Sequence, residues 1–143
     1  MNLFVSACLL GENCKYNGGN NYNEKAADFI KGHEVVALCP EVAGGLPVPR
    51  DSAEIVDGIV KTESGRSVDE AFRAGAKKVT AEVIKQKVEL ALLQSRSPSC
   101  GLNEIYDGSF SGKKIKGQGI FAKMLTEQGI KVIDVEDLIT EEN

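Results

Sequence analysis

Two short apolar segments separated by a helical pattern place the strongest limit on the fold. Residues Asn2–Ala7 and Glu34–Cys39 are short and apolar and contain β-branched side chains, which predicts two buried strands. Between them, Asn23–Lys31 carries apolar residues at helical spacing, with Asn23 as the N-cap and Gly32 as the stop. Two parallel strands around one helix form a βαβ unit, whose crossover is almost always right-handed. The chain is therefore predicted to begin as a parallel α/β fold.

The same alternation of strands and helices continues along the chain. Ser67 and Glu70 form a predicted capping box that opens a helix running to about Lys87. Gly75 within that helix costs about 1 kcal/mol relative to alanine, which indicates a close packing contact at this position. The remaining predicted elements are a strand at Val88–Leu93, a helix at Gln118–Gln128 ended by Gly129, a strand at Lys131–Val135 and a short acidic helix.

One hairpin interrupts this alternation. Ala53–Val56 and Ile59–Thr62 flank Asp57-Gly58, the dipeptide most typical of a two-residue hairpin turn. The sequence therefore predicts a mostly parallel, Rossmann-like doubly wound α/β sheet with an inserted β-hairpin. A chain of 143 residues suits one core, so residues 1–143 are expected to form a single domain.

Composition and charge exclude several classes of function. The chain is 42% hydrophobic and 27% charged, as expected for a globular protein. Its net charge of -4 argues against general nucleic-acid binding, because phosphate neutralisation needs a basic face. The start of the chain lacks the features of a signal peptide, and no segment reaches the length of a membrane span. We therefore expect a soluble cytoplasmic protein whose four cysteines are thiols or metal ligands rather than disulfides.

Three of the cysteines follow predicted strands. Cys8 comes after the first strand, Cys39 ends the second, and Cys100 lies in the loop after the third. The carboxyl ends of parallel strands lie along one edge of the sheet, where open α/β sheets bind their ligands. Thiolates gathered there would suit an iron–sulfur cluster, zinc or Cu(I). Buried cysteine is also a common small apolar residue, and the spacing matches no standard zinc or ferredoxin pattern.

The loops around two of these cysteines favour a site. Cys100 lies in Ser97-Pro98-Ser99-Cys100-Gly101, where proline and glycine enforce a turn and two hydroxyls can donate hydrogen bonds. Cys39 is followed by a loop rich in proline and glycine up to Arg50. Such rigid loops are typical of preorganised sites. Gly44-Gly45 lacks the spacing of a nucleotide-binding loop, so a nucleotide site is not predicted.

These loops carry a resemblance to a known family that spans nearly the whole chain. The stretches that carry it are Ser6–Gly11, Cys14–Gly18, Cys39–Pro47, Pro49-Arg50, Glu54, Ser97–Gly101, Ile105–Gly108 and Gly117–Gly119. On these residues the chain resembles the bacterial 2-thiouracil desulfurases, and a mild departure is Asn17, where an aspartate is usual. The resemblance implies an enzyme that removes sulfur from a thiolated pyrimidine or nucleoside without redox chemistry, leaving a carbonyl and releasing sulfide to an unknown acceptor.

The resemblance also implies a [4Fe-4S] cluster held by three cysteines, with the fourth iron open. Cys8, Cys39 and Cys100 are the expected ligands. An open iron suits the chemistry, because it can bind the departing sulfur as a Lewis acid. Cys14 lies in a loop beyond the first strand and is predicted to relay sulfur, to close the fourth coordination site at rest, or to have no role.

Other residues of these stretches are assigned roles by their positions. Glu41 is the candidate general base for attack by water, because it follows Cys39 closely. Ser97 and Ser99 are candidates to orient that water or to donate to the pyrimidine oxygen. Arg50 is expected to neutralise the cluster or bind a substrate oxygen, or else to pair with a neighbouring acid, Asp51 or Glu54.

The loop after the first strand supplies candidate substrate contacts. Tyr16 can stack on a flat base, as can Tyr106, and Asn17 lies beside Tyr16. His33 follows Gly32 and is expected on the surface. Two rival interpretations remain, a zinc-stabilised binding module and a metal-free enzyme in which a low-pKa cysteine transfers sulfur.

Overall fold

A parallel sheet forms the centre of the fold in the computed structural model, which describes residues 1–138. The strands are β1 (Asn2–Ser6), β2 (Glu34–Leu38), β3 (Ala53–Val56), β4 (Ile59–Thr62), β5 (Leu90–Leu93), β6 (Glu104–Tyr106), β7 (Lys114–Lys116) and β8 (Lys131–Asp134). The helices are α1 (Glu24–Phe29), α2 (Pro40–Ala43), α3 (Asp69–Lys85) and α4 (Ile120–Glu127), with short 3-10 turns at Ala7–Leu10 and Val135–Asp137.

Four parallel strands form the central sheet of the described chain, in the order β2-β1-β5-β8. The chain moves outward from β1 to β2, then crosses back past β1 to β5 and continues to β8. Right-handed crossovers in opposite directions place their helices on opposite faces of the sheet. The predicted doubly wound α/β fold is therefore confirmed. The predicted acidic helix begins with a 3-10 turn at Val135–Asp137, and the part of the prediction beyond Leu138 lies outside the described residues.

The core divides into two layers, one on each face of the sheet. Val5 and Leu92 pack with Ala26 of α1 on one face, whereas Phe4 and Ala91 pack against α3 and α4 on the other. Neighbouring residues of a strand point to opposite faces, which explains why almost every position of β1 and β5 is buried. Phe4 meets Phe121 of α4 edge to face, with ring centroids 5.2 Å apart. Such a pair contributes about 0.5–1.5 kcal/mol beyond its buried area.

Two predicted turns and caps are confirmed. The Asn23 side chain accepts a hydrogen bond from the Ala26 backbone N–H at 3.0 Å and caps α1. Asp57 and Gly58 both adopt positive φ, at 50° and 81°, as a type I′ turn between β3 and β4 requires. His33 is exposed, as expected.

The predicted capping box at Ser67 and Glu70 is wrong. Helix α3 begins one residue later, at Asp69, and its N-cap residue Val68 makes no side-chain cap. The Val68 backbone N–H instead bonds to the Val60 carbonyl at 2.9 Å, which prolongs the pairing with β4. The Asp69 carboxylate accepts from the Val60 N–H at 3.0 Å and so ties the helix start to the hairpin.

A second hairpin, β6–β7, was not predicted. Its strands have three residues each, and β7 is exposed throughout, with Ile115 49% accessible. A strand so short and exposed shows too little apolar alternation to be recognised from the sequence.

No helix within residues 1–138 combines the length and apolar character needed to cross a bilayer.

Candidate active site

The topology places one cavity at the carboxyl edge of the central sheet. Strands β1 and β5 are neighbours, but the chain leaves them toward opposite faces, which makes this point the topological switch. Ligands of open α/β sheets bind at such a point. A cavity of about 500 Å³ lies there, and all four cysteines border it: Cys8, Cys14, Cys39 and Cys100. The predicted gathering at one sheet edge therefore holds for Cys8, Cys39 and Cys100, and Cys14 joins them.

The segment carrying Cys39 is clamped against α3 by backbone contact. Cys39 precedes α2, with Pro40 in the first turn. A Cβ on Gly44 would lie 2.0 Å from the Ala71 carbonyl oxygen, and one on Gly75 would lie 1.8 Å from the Pro40 carbonyl oxygen. Only glycine permits two helices to approach this closely, so the packing contact expected at Gly75 is confirmed.

The loop carrying Cys100 is clamped to the start of α4. The Ile120 backbone N–H bonds to the Pro98 carbonyl at 2.8 Å, and the Phe121 N–H bonds to the Ser99 carbonyl at 2.9 Å. A Cβ on Gly119 would lie 2.5 Å from the Ser99 carbonyl oxygen, which shows how close the two segments are. Main-chain hydrogen bonds thus determine where Cys100 stands.

Ser97 and Ser99 have different environments within this loop. The Ser97 hydroxyl borders the cavity, and its oxygen accepts from the backbone N–H groups of Ser99 and Cys100, each at 2.9 Å. Ser99 is buried, and its hydroxyl donates to the Glu41 carboxylate at 3.1 Å. Ser97 therefore shapes the cysteine loop, whereas Ser99 contacts the candidate base directly.

Cys14 lies beside two of the expected ligands. Hydrogen bonds between its thiol and the side chains of Cys39 and Cys8 raise the pKa of Cys14. The same contact with Cys14 lowers the pKa of Cys39 to about 7 and lowers that of Cys8. Burial raises the pKa of Cys100. Two of the three expected ligands are therefore biased toward the thiolate form, which is the form that binds metal.

The donor set fits the cofactor that the sequence predicts. Three soft sulfur donors from separate strand ends border one cavity, and soft donors select iron–sulfur clusters among other thiophilic centres. Within residues 1–138, no group of three or more His, Cys, Asp or Glu side chains is arranged to hold a single metal ion. The fit to a cluster rests on the softness of the three sulfur donors and on their meeting at one cavity.

A buried ion pair orders the acid at this site. The Arg50 guanidinium donates to Glu41 Oε1 from Nη2 at 2.8 Å and from Nε at 3.1 Å. Only 8% of the Arg50 side chain and 14% of the Glu41 side chain are accessible, so water screens the pair little. The suggested alternative partners of Arg50, Asp51 and Glu54, are therefore wrong.

Arg50 also joins the loops on either side of the cavity. Its Nη2 donates to the Cys14 carbonyl at 2.9 Å, and its Nη1 donates to the Pro47 carbonyl at 3.2 Å. Its backbone N–H bonds to the Tyr16 carbonyl at 2.6 Å. One residue thus connects the candidate base, the Cys39 loop and the loop that carries Cys14.

The predicted substrate contacts are only partly brought together. Tyr16 and Tyr106 border the cavity, and Tyr16 is 42% exposed at its mouth. Asn17 is exposed and is not among the residues lining the cavity, and its side-chain oxygen accepts from the Gly19 N–H at 2.9 Å. A turn-forming role accounts for this contact of Asn17.

Two further residues at the cavity, Arg96 and Phe110, were missed from the sequence. The Arg96 guanidinium forms a bidentate ion pair with the Glu136 carboxylate, with N···O distances of 2.8 and 2.7 Å. This pair bridges the ends of β5 and β8. Phe110 lies in the loop of the unpredicted β6–β7 hairpin. The available signal was Asp107-Gly108, a turn-forming pair close before Phe110.

Three comparisons relate this arrangement to known proteins. The sequence model described as 2-thiouracil desulfurase matches residues 3–137. The protein YbbK of Bacillus subtilis (strain 168) is 38% identical over 146 residues, covering 95% of this chain and 97% of its own. Among solved structures, the "[4Fe-4S]-dependent thiouracil desulfidase TudS" superposes with a TM-score of 0.89 at 39% identity, covering 97% of this chain and 93% of its own.

Proposed function

Because this chain belongs to the 2-thiouracil desulfurase family, we propose that it is an iron–sulfur-dependent desulfurase acting on a thiolated pyrimidine. Water would replace the sulfur, so that the C=S group becomes C=O and hydrogen sulfide is released without a change in oxidation state. The observation that supports this most directly is one cavity bordered by three strand-end cysteines and by Glu41. That cavity combines soft metal ligands with a carboxylate suited to proton transfer.

Cys8, Cys39 and Cys100 would hold a [4Fe-4S] cluster. Each belongs to a segment that follows a different strand of the sheet, so the ligand positions depend on the sheet itself. When bound, the cluster would supply a thiophilic Lewis acid with an open coordination position for the substrate sulfur. Cys14 is close enough to Cys8 and Cys39 to shield that position from solvent.

Glu41 would act as the general base toward water. A carboxylate that takes a proton needs a defined orientation, and two contacts provide it here. Arg50 binds Oε1, while the Ser99 hydroxyl binds Oε2. Arg50 therefore acts on Glu41 and positions it, and the buried Ser99 hydroxyl, which does not border the cavity, orients the second carboxylate oxygen. Ser97 supports the same step by shaping the loop that holds Ser99.

The surroundings support a small flat substrate in a reducing compartment. Tyr16 and Tyr106 at the cavity offer apolar faces to a heterocyclic ring, and Asn17 would act by shaping the Tyr16 loop. All four cysteines are free thiols, which suits the cytoplasm. The net charge of -4 favours a free base or nucleoside over general nucleic-acid binding. We further propose that residues 1–143 form a single domain.

The test is reconstitution with iron and sulfide without oxygen, followed by assay of 2-thiouracil, 4-thiouracil and their nucleosides for released sulfide. We expect a brown protein with about four iron atoms per chain and sulfide released in step with the carbonyl product. A colourless protein that binds zinc stoichiometrically and releases no sulfide would refute the proposal and favour a zinc-stabilised module. Sulfide release by metal-free protein would instead favour a cysteine-based transfer enzyme.

A further inference from the structure

The loop joining β6 to β7 is rigidly built although it lies at the surface. The Asp107 carboxylate accepts from both the N–H and the hydroxyl of Ser109, at 2.9 and 2.5 Å. The Asp107 N–H bonds to the Lys113 carbonyl at 2.9 Å and closes the loop. These contacts determine the path of the chain between the two strands.

Glu54 anchors this loop to the other hairpin. Its Oε1 atom, on β3, accepts from the Gly108 N–H at 2.9 Å and from the Phe110 N–H at 3.2 Å. A Cβ on Gly108 would lie 2.6 Å from the Ile55 carbonyl oxygen, so the loop lies directly on the β3 backbone. One carboxylate therefore joins the two hairpins beside the cavity.

The anchored loop presents an aromatic ring to the cavity. Phe110 borders the cavity that the four cysteines border, and it is only half-buried by the protein itself. Its φ of 56° lies in the left-handed region, which is unusual for a bulky residue. Backbone strain of this kind persists only where the surroundings enforce it, and it is concentrated at functional sites. The Glu54 carboxylate is part of what enforces it here.

We propose that Phe110 is a substrate-binding residue that stacks on the flat ring of the substrate, and that Glu54 is the positioning residue that holds it there. The inference rests on the proposed function, since it takes the substrate to be a planar heterocycle. An aromatic face binds any flat base by stacking and does not distinguish sulfur from oxygen. Phe110 therefore contributes to binding of substrate and product alike and does not take part in the chemical step.

The first experiment separates binding from chemistry in the reconstituted protein. Phe110→Ala should raise KM for 4-thiouracil about tenfold and weaken uracil binding, measured by calorimetry, by about the same factor. The rate constant kcat and the iron content should stay within about twofold of wild type. Phe110→Tyr should restore both affinities, because it keeps the ring. Ile115→Ala, an exposed position on β7 of the same hairpin, is the matched control and should change neither.

The second experiment tests the anchor. Glu54→Ala should weaken uracil binding about as much as Phe110→Ala, and the double variant should be no weaker than Phe110→Ala alone, because the two residues act as one unit. Glu54→Gln keeps an oxygen acceptor and should restore most of the affinity. Hydrogen exchange of the amides of residues 107–112 should become faster in Glu54→Ala only.

Uracil affinity is measured independently of turnover, so failure of desulfuration would not hide the result. Unchanged uracil affinity in Phe110→Ala would overturn the inference, whether or not the wild type releases sulfide. Strictly additive losses in the double variant would overturn the positioning role of Glu54. The two proposals can also fail separately. If the wild type releases no sulfide but Phe110→Ala binds uracil tenfold more weakly, the stacking role is supported and the proposed activity is refuted.

Discussion

The loops around the cavity are held in two different ways. The Cys39 and Cys100 segments are clamped by their backbones against α3 and α4, at points where only glycine fits. The loop that carries Cys14 has no glycine pressed against another backbone, and it is held by hydrogen bonds, among them those that Arg50 donates to the Cys14 and Tyr16 carbonyls. Close backbone packing leaves little freedom, whereas the hydrogen bonds of a surface loop can be exchanged. The difference indicates that the former segments provide constant ligands and that the Cys14 loop can adapt during turnover.

The largest effect should be on iron content, when cysteines in the two kinds of loop are replaced by serine. Cys39→Ser and Cys100→Ser should lose nearly all iron and all activity, since each removes a ligand that the fold holds in place. Cys14→Ser should keep most of its iron, because its loop stands outside the clamped set. Iron content after anaerobic reconstitution measures this directly. Equal iron loss in Cys14→Ser and Cys39→Ser would mean a cluster with four ligands and would remove the distinction drawn here.

Substitution of Glu41 tests whether the segment that carries Cys39 also supplies the general base. Glu41→Gln should slow desulfuration by about 10² to 10⁴, the usual contribution of a general base, with iron content unchanged. The amide keeps the size of the side chain and an oxygen acceptor for Arg50, but it cannot take a proton. Steady-state sulfide release together with iron content gives the result. Near-normal turnover would remove Glu41 from the mechanism and leave Ser97, Ser99 or Cys14 as candidates.

Substitution of Gly75 tests the close backbone contact between α2 and α3. Gly75→Ala should lower the free energy of unfolding by about 1–3 kcal/mol or more, because the new methyl group would meet the Pro40 carbonyl oxygen at 1.8 Å. Helix propensity alone predicts the opposite sign, since alanine is favoured over glycine by about 1 kcal/mol. Ala74→Gly, at the exposed neighbouring position, is the control and should cost only that propensity. Urea unfolding of both variants distinguishes the two effects, and a more stable Gly75→Ala protein would show that the helices are not in close contact.

Much of this arrangement could be predicted from the sequence, because it depends on local patterns. The apolar runs of β1, β2 and β5 indicate a parallel sheet, and the placement of Cys8, Cys39 and Cys100 after them follows from its geometry. The second hairpin could not be predicted, because β7 is short and exposed. Contacts between residues distant in the chain, such as Ser99 with Glu41, could not be predicted either, because they depend on how loops fold over the sheet edge.

The smallest effect should come from the Arg96–Glu136 pair, which joins the ends of β5 and β8 through side chains rather than backbone and whose Glu136 side chain is exposed. Arg96 lowers the pKa of Glu136 below its ordinary value of 4.5 in the folded protein. A depressed folded-state pKa gives stability that is present above the unfolded pKa and is lost as the pH falls through the folded pKa. The Glu136 side chain is 54% accessible, so water and salt screen the pair and its contribution should be below about 1 kcal/mol.

Glu136→Gln should therefore lower the unfolding free energy slightly at pH 7, and the difference from wild type should shrink as the pH falls below the ordinary pKa of 4.5 and vanish below the lowered folded-state pKa. Urea unfolding of both proteins at pH 7 and in the acid range measures this, and added salt should shrink the difference at pH 7. A loss as large as that of Gly75→Ala would mean that side-chain pairs hold the rim as firmly as the backbone clamps do. The contrast between clamped and adaptable segments would then fail, and the Cys14 loop would have to be regarded as equally rigid.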